Sequence, residues 1–141
     1  MITRVYIDTS VFIWAYNFPG SNSDRLLDFL IDSDIELVVS EIVVNELRRY
    51  FCAYYSKDVF SEIHLLLFTR FTVIYNDEIE DGIAKWRGKI KDKDLEHLVI
   101  AKEYDIPIII AYDEDFDSFP EYKTPKEFII SIGLKPSKTE Y

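Results

Sequence analysis

The sequence predicts an α/β fold of three layers, α/β/α, with a central, mostly parallel sheet. Two observations carry this. Segments of strand character alternate with segments of helical character along the whole chain. The strands are continuous apolar runs, such as Ile108-Ile109-Ile110, which is how strands buried on both faces read. A third observation locates the interest: two of these runs end directly on an acid, Asp8 and Asp113.

The elements follow in order. Thr3 to Ile7 reads as a strand ending at Asp8, and the apolar residues 10–16 start a short helix. Pro19-Gly20-Ser21-Asn22 is a break, after which Asn22 or Ser23 caps a helix to about Ile31 with Leu26, Leu27, Leu30 and Ile31 on its apolar face. Ile35 to Val39 is a second strand. Ser40 is an N-cap with Glu41 favourably placed in the first turn of a helix to about Tyr55. A helix from about Lys57 to Phe68 precedes a strand, Phe71 to Ile74. Asn76 opens a helical stretch that is acidic at first (Asp77, Glu78, Glu80, Asp81), and a helix from about Asp92 to Tyr104 leads to the strand Pro107 to Tyr112. Thr124 and Pro125 suit the start of a last helix, to about Ile132. There are no repeats and no linker, so residues 1–141 are expected to form a single domain.

Composition narrows the function. The sole cysteine, Cys52, rules out an intramolecular disulfide; it is expected as a small core residue in a reducing compartment. No apolar stretch approaches the length of a membrane span, and the start reads as a strand rather than a signal peptide, so a cytoplasmic protein is expected. The net charge of −10 argues against a nucleic-acid partner. Two features soften that objection. Lys85, Arg87, Lys89, Lys91 and Lys93 crowd one stretch, although on a helix their spacing spreads them around it as a solvated segment. Acids gathered around a cation would also account for part of the excess.

Ligands in parallel α/β sheets bind beyond the carboxyl ends of the strands, so Asp8 and Asp113 could face one another there, although each could be a simple turn or cap residue. Glu46 sits at the edge of the apolar stripe of its helix; a carboxylate there needs a cation or hydrogen-bond partners, and Arg49 offers an ordinary ion pair. Asp94 opens a helix whose inner face is Leu95, Leu98, Val99 and Ala101; if Asp92 serves as the cap, Asp94 is free to point toward the sheet edge. Carboxylates without His or Cys at ligand spacing suit a hard cation such as Mg²⁺ or Mn²⁺, and not zinc. His97 is expected to be packed or capping. The chain has no glycine-rich phosphate loop and no nucleophile elbow.

Four segments in this order resemble the PIN domain family: Val5-Tyr6-Ile7-Asp8-Thr9-Ser10-Val11, Ser40 to Leu47 with Glu46, Asp94 to Ala101, and Ile108 to Phe116 with Asp113. Thr124-Pro125-Lys126-Glu127-Phe128 resembles a closing segment of the family. One departure is Ala111, where the family usually carries Thr or Ser two residues before the last Asp. The resemblance implies a metal-dependent ribonuclease. Asp8, Asp94 and Asp113 would bind Mg²⁺ or Mn²⁺, and Glu46 would bind it directly or through water. Ser10 and Asp115 would act from behind the ligands, with Asp92 competing for the place of Asp94. Arg48, Arg49 and Lys93 are candidate RNA contacts. The size fits a toxin held by an antitoxin protein, and the family commonly forms homodimers. An inactive PIN-like module that binds RNA or protein is the alternative. A dehalogenase-type phosphatase is set aside because Ser10 stands where its second Asp belongs.

Overall fold

A computed structural model of the chain describes residues 2–89, 92–112 and 119–138, with helix backbone alone at 92–94. The central sheet has five strands: β1 (Arg4–Ile7), β2 (Glu36–Ser40), β3 (Phe71–Ile74), β4 (Ile109–Ile110) and β5 (Tyr122–Lys123). Their order is β3-β2-β1-β4-β5 and every pairing is parallel. Val5 stands opposite Leu37, and Tyr6 lies between Val38 and Ile109. Val5, Tyr6, Ile7, Leu37, Val38 and Val39 are all buried, because helices cover both faces.

The helices are α1 (Thr9–Asn17), α2 (Asn22–Ile31), α3 (Glu41–Tyr54), α4 (Lys57–Arg70), α5 (Glu80–Trp86), α6 (Asp92–Glu103) and α7 (Pro125–Ser131), with a short 3-10 turn at Asn76–Ile79. Helix α1 packs on α2 and α3, α2 on α7, and α3 on α4; α5 packs on α6. From β1 the chain steps outward to β2 and β3. It then returns through α5 and α6 to β4, on the other side of β1. The direction of winding therefore reverses between β1 and β4. Such a reversal opens a crevice at the carboxyl ends of the two strands.

Most elements form where their sequence signals put them. The cap of α2 is a correction: Ser21, and not Asn22 or Ser23, accepts from the Asp24 amide (3.2 Å). Asn22 and Ser23 are buried in the first turn, where Asn22 Oδ1 accepts from the Ser137 amide (2.7 Å) and Ser23 bonds the Tyr112 hydroxyl. Helix α4 runs two residues past Phe68, to Arg70, whose guanidinium donates to the carbonyls of Leu30, Ile31, Ser33 and Ile35 and so ties α4 to the α2–β2 turn. The expected strand 107–112 has strand geometry only at Ile109–Ile110, with backbone hydrogen bonds to its neighbours from Ile108 to Ala111, and β5 beside it had no apolar run to announce it. No helix among the described residues is long and apolar enough to cross a membrane.

Candidate active site at the β1–β4 crevice

Asp8 is the first residue beyond β1. Its backbone is extended, and its carboxylate caps α1, accepting from the Ser10 amide at 3.3 Å. Ser10 Oγ donates to the same oxygen, Oδ2, at 2.7 Å, and itself accepts weakly from the Tyr112 amide at 3.4 Å. The Asp8 amide donates to the Ile110 carbonyl (3.0 Å). Ser10 and this backbone bond fix the acid at the end of β1 to the exit of β4.

The other oxygen, Asp8 Oδ1, lies 3.5 Å from His97 Nε2. His97 is buried on α6, and its Nδ1 is bonded by the Tyr6 hydroxyl, which also bonds Ser40 Oγ (3.0 Å). Ser40 in turn accepts from the Val43 amide (3.2 Å) as the cap of α3. The Tyr6 hydroxyl donates to Ser40 Oγ, and the tautomer of the His97 ring sets the direction of its bond with Nδ1. A continuous chain thus links Asp8 to His97, Tyr6, Ser40 and the start of α3, running through the sheet.

Burial pushes the Tyr6 phenol well above its usual value; the Ser40 bond opposes this, and the negative charges of Asp8, Glu46 and Glu96 add to it. The field of three carboxylates from three elements therefore meets at one hydroxyl.

Glu46 lies on α3, half-buried between the core residues Val43 and Leu47. Its Oε1 accepts from Thr9 Oγ1 at 3.0 Å, and among the described residues no hydrogen bond uses Oε2. The two neighbours that follow β1 thus orient one acid each: Ser10 orients Asp8 and Thr9 orients Glu46. The two arginines beside Glu46 differ. Arg48 donates to Asn45 Oδ1 (3.1 Å) and lies 5.6 Å from the centre of the Phe60 ring, whereas Arg49 lines a groove of about 340 Å³ with Thr9, Ile13, Glu46, Tyr50 and Tyr54. Among the described residues no ion pair joins Arg49 to Glu46.

Asp94 is the third residue of α6, one turn before His97, and Asp92 is the first. The side chains of Asp92, Lys93 and Asp94, and the whole of Asp113 and Asp115, lie outside the described residues. Among the described residues no group of three or more His, Cys, Asp or Glu could hold a metal. The donor set that is described still suits a hard divalent ion. Asp8 and Glu46 each have one oxygen fixed by a hydroxyl, Glu46 Oε2 makes no hydrogen bond among the described residues, and all the donors are carboxylate oxygens.

One expectation is corrected. Cys52 is exposed, because the buried face of α3 is Val43, Val44, Leu47 and Phe51, and Cys52 is turned about 100° from Phe51. The basic stretch runs past the end of α5: the helix ends at Trp86, Gly88 turns the chain at φ +84°, and Lys85 and Lys89 both lie over the Trp86 ring. The sequence did not single out Thr9 or Glu96. Thr9 adjoins Asp8, which was a usable signal; the nearness of Glu96 to Tyr6 follows only from packing α6 on the sheet.

The profile of the PIN domain family matches residues 5–122. No curated protein matches the chain. Among solved structures it is similar to a toxin–antitoxin complex from Klebsiella pneumoniae, at 20% identity over 87% of this chain and 98% of that one (TM-score 0.67). It is similar to VapBC2 from Rickettsia felis bound to a promoter DNA fragment, at 16% identity over 86% and 98% (TM-score 0.68). It is also similar to VapC20 of Mycobacterium tuberculosis, a sarcin–ricin loop cleaving toxin, at 15% identity over 81% and 93% (TM-score 0.62). At these identities the likeness is one of fold.

Proposed function

The chain belongs to the PIN domain family, and from that premise we propose that it is a divalent-metal-dependent endoribonuclease hydrolysing RNA phosphodiesters, the toxin of a toxin–antitoxin pair. The observation that carries this reading is the pair of oriented carboxylates, Asp8 and Glu46, at the carboxyl end of the sheet where the winding reverses. Family membership supplies the nuclease class. The toxin–antitoxin complexes among its structural neighbours support an antitoxin partner and a toxin role.

In this reading Asp8, Glu46, Asp94 and Asp113 hold Mg²⁺ or Mn²⁺. The position of Asp94, one turn before a histidine that faces Asp8, supports its inclusion. When bound, the ion supplies Lewis-acid stabilisation of charge on the phosphate and activates a water for in-line attack. The chain's own part is orientation. Ser10 and His97 hold the two oxygens of Asp8, Thr9 holds Glu46, and Asp115 stands two residues past Asp113. Arg49 offers a cation to the RNA backbone in an otherwise acidic protein, and Arg48 and Lys93 are the other candidate RNA contacts. Homodimer formation and a single domain over residues 1–141 belong to the same proposal.

The test is cleavage of a mixed RNA panel with Mg²⁺ or Mn²⁺, set against EDTA and against Asp8→Asn. The expected result is cleavage that needs both the ion and Asp8. Cleavage that survives Asp8→Asn would contradict the assignment. Ion binding without cleavage of any RNA would point instead to a module retained for binding.

A further inference from the structure

We propose that the groove beside Glu46 is a nucleotide subsite, in which a base of single-stranded RNA stacks on Tyr54 and an adjoining phosphate meets Arg49. This rests on the ribonuclease reading and adds to it a contact surface beyond the candidate metal ligands.

The groove begins at the site. Thr9 and Glu46, already joined by a hydrogen bond, form one end, Ile13 gives an apolar side, and Arg49, Tyr50 and Tyr54 complete it. Glu46, Tyr50 and Tyr54 stand four residues apart along α3, so they share one face of the helix. Tyr54 is about 12 Å along the axis from Glu46. Carboxylate, guanidinium and aromatic ring thus follow one another away from the candidate metal ligands.

Tyr54 is 73% exposed, the most of any large apolar side chain described. Its support is fixed. The Tyr50 ring lies 4.9 Å from it, tilted by 45°. The Tyr50 hydroxyl accepts from Asn17 Nδ2 at 2.8 Å, and Asn17 Oδ1 accepts from the Tyr55 hydroxyl. Tyr50 and Tyr55 also pack against the buried Phe51. An exposed ring on a rigid backing suits stacking of a flat partner, which every base provides and which duplex RNA, with its bases paired and stacked, does not. Arg49 places a positive charge where the backbone of such a strand would run, in a chain whose net charge is −10. Arg48 faces the other way, toward Phe60.

The experiment measures kcat and KM for metal-dependent cleavage of a fluorescently labelled single-stranded oligoribonucleotide, and its binding by anisotropy with EDTA present, for the native chain, Tyr54→Ala and Tyr54→Phe. Light scattering gives the oligomeric state of each. Tyr54→Ala is expected to weaken binding and raise KM by about tenfold, in line with the usual worth of one base–aromatic stack, with kcat little changed. Tyr54→Phe keeps the ring and is expected to behave as native. Equal binding and KM in all three proteins would overturn the subsite. A loss in Tyr54→Ala that tracks a change from dimer to monomer would also overturn it, by assigning the face to a second copy. Tyr54-dependent binding with no cleavage of any RNA would uphold the subsite and overturn the ribonuclease reading.

Discussion

The residue with the greatest leverage on Asp8, after Ser10, is His97. Its ring touches the carboxylate on one side and is held by Tyr6 on the other. Groups that orient a ligand commonly govern metal affinity by 10–100-fold. His97→Ala is therefore expected to weaken Mn²⁺ affinity by roughly tenfold or more, measured by calorimetric titration on protein shown folded by its melting curve. Affinity equal to native would mean that His97 only fills space. A second residue-scale consequence concerns base. Burial pushes the Tyr112 phenol from 10.0 up to about 12, and Tyr6 is raised by the same cause. A raised pKa favours the protonated, folded form. The contribution is thus complete below pH 10, where the unfolded phenol is also protonated, and is lost as pH rises from about 10 through about 12. The melting temperature is expected to fall across that window, and less steeply in Tyr112→Phe. Asp8 and Glu46 were legible in the sequence because each interrupts an apolar pattern. The histidine's partners were not, since they lie 89 and 91 positions away along the chain.

At the scale of elements, local chemistry placed most boundaries. Ser40 and Thr124 cap as their sequence context indicates, and Thr124 forms a reciprocal box with Glu127. Ser21 was missed because three consecutive residues, Ser21, Asn22 and Ser23, are all good caps, and the tertiary partners of the latter two, Ser137 and Tyr112, decide among them. Strand β5 was missed because Tyr122–Lys123 is two half-buried residues, paired only because β4 offers an edge. The contact of α5 with α6 is sharper. A Cβ on Gly82 would stand 2.6 Å from Val99 Cγ1, a short, buried and branched side chain. Gly to Ala inside a helix ordinarily gains about 1 kcal/mol. Overpacking costs about 1–3 kcal/mol, so Gly82→Ala is expected to be net destabilising, by about 1 kcal/mol in urea unfolding. A gain in stability would show that α5 shifts freely on α6.

For the whole molecule, alternation of apolar strands with helices was enough to predict a parallel, three-layer architecture. The order β3-β2-β1-β4-β5 required knowing that the chain crosses back over β1 after β3. That return makes the crevice, and it brings α6, with Asp94 at its start, to the end of β1. The net charge of −10 takes on a meaning at this scale. Carboxylates held at one end of the sheet repel one another unless a cation lies among them.

Whether these acids share one divalent ion is decided by calorimetric titration of Mn²⁺ into the native chain, Asp8→Asn and Glu46→Gln. One site per chain is predicted in the native protein, lost in Asp8→Asn and much weakened in Glu46→Gln, while both variants keep the native fold. Undiminished Mn²⁺ binding in both variants would contradict a shared ion.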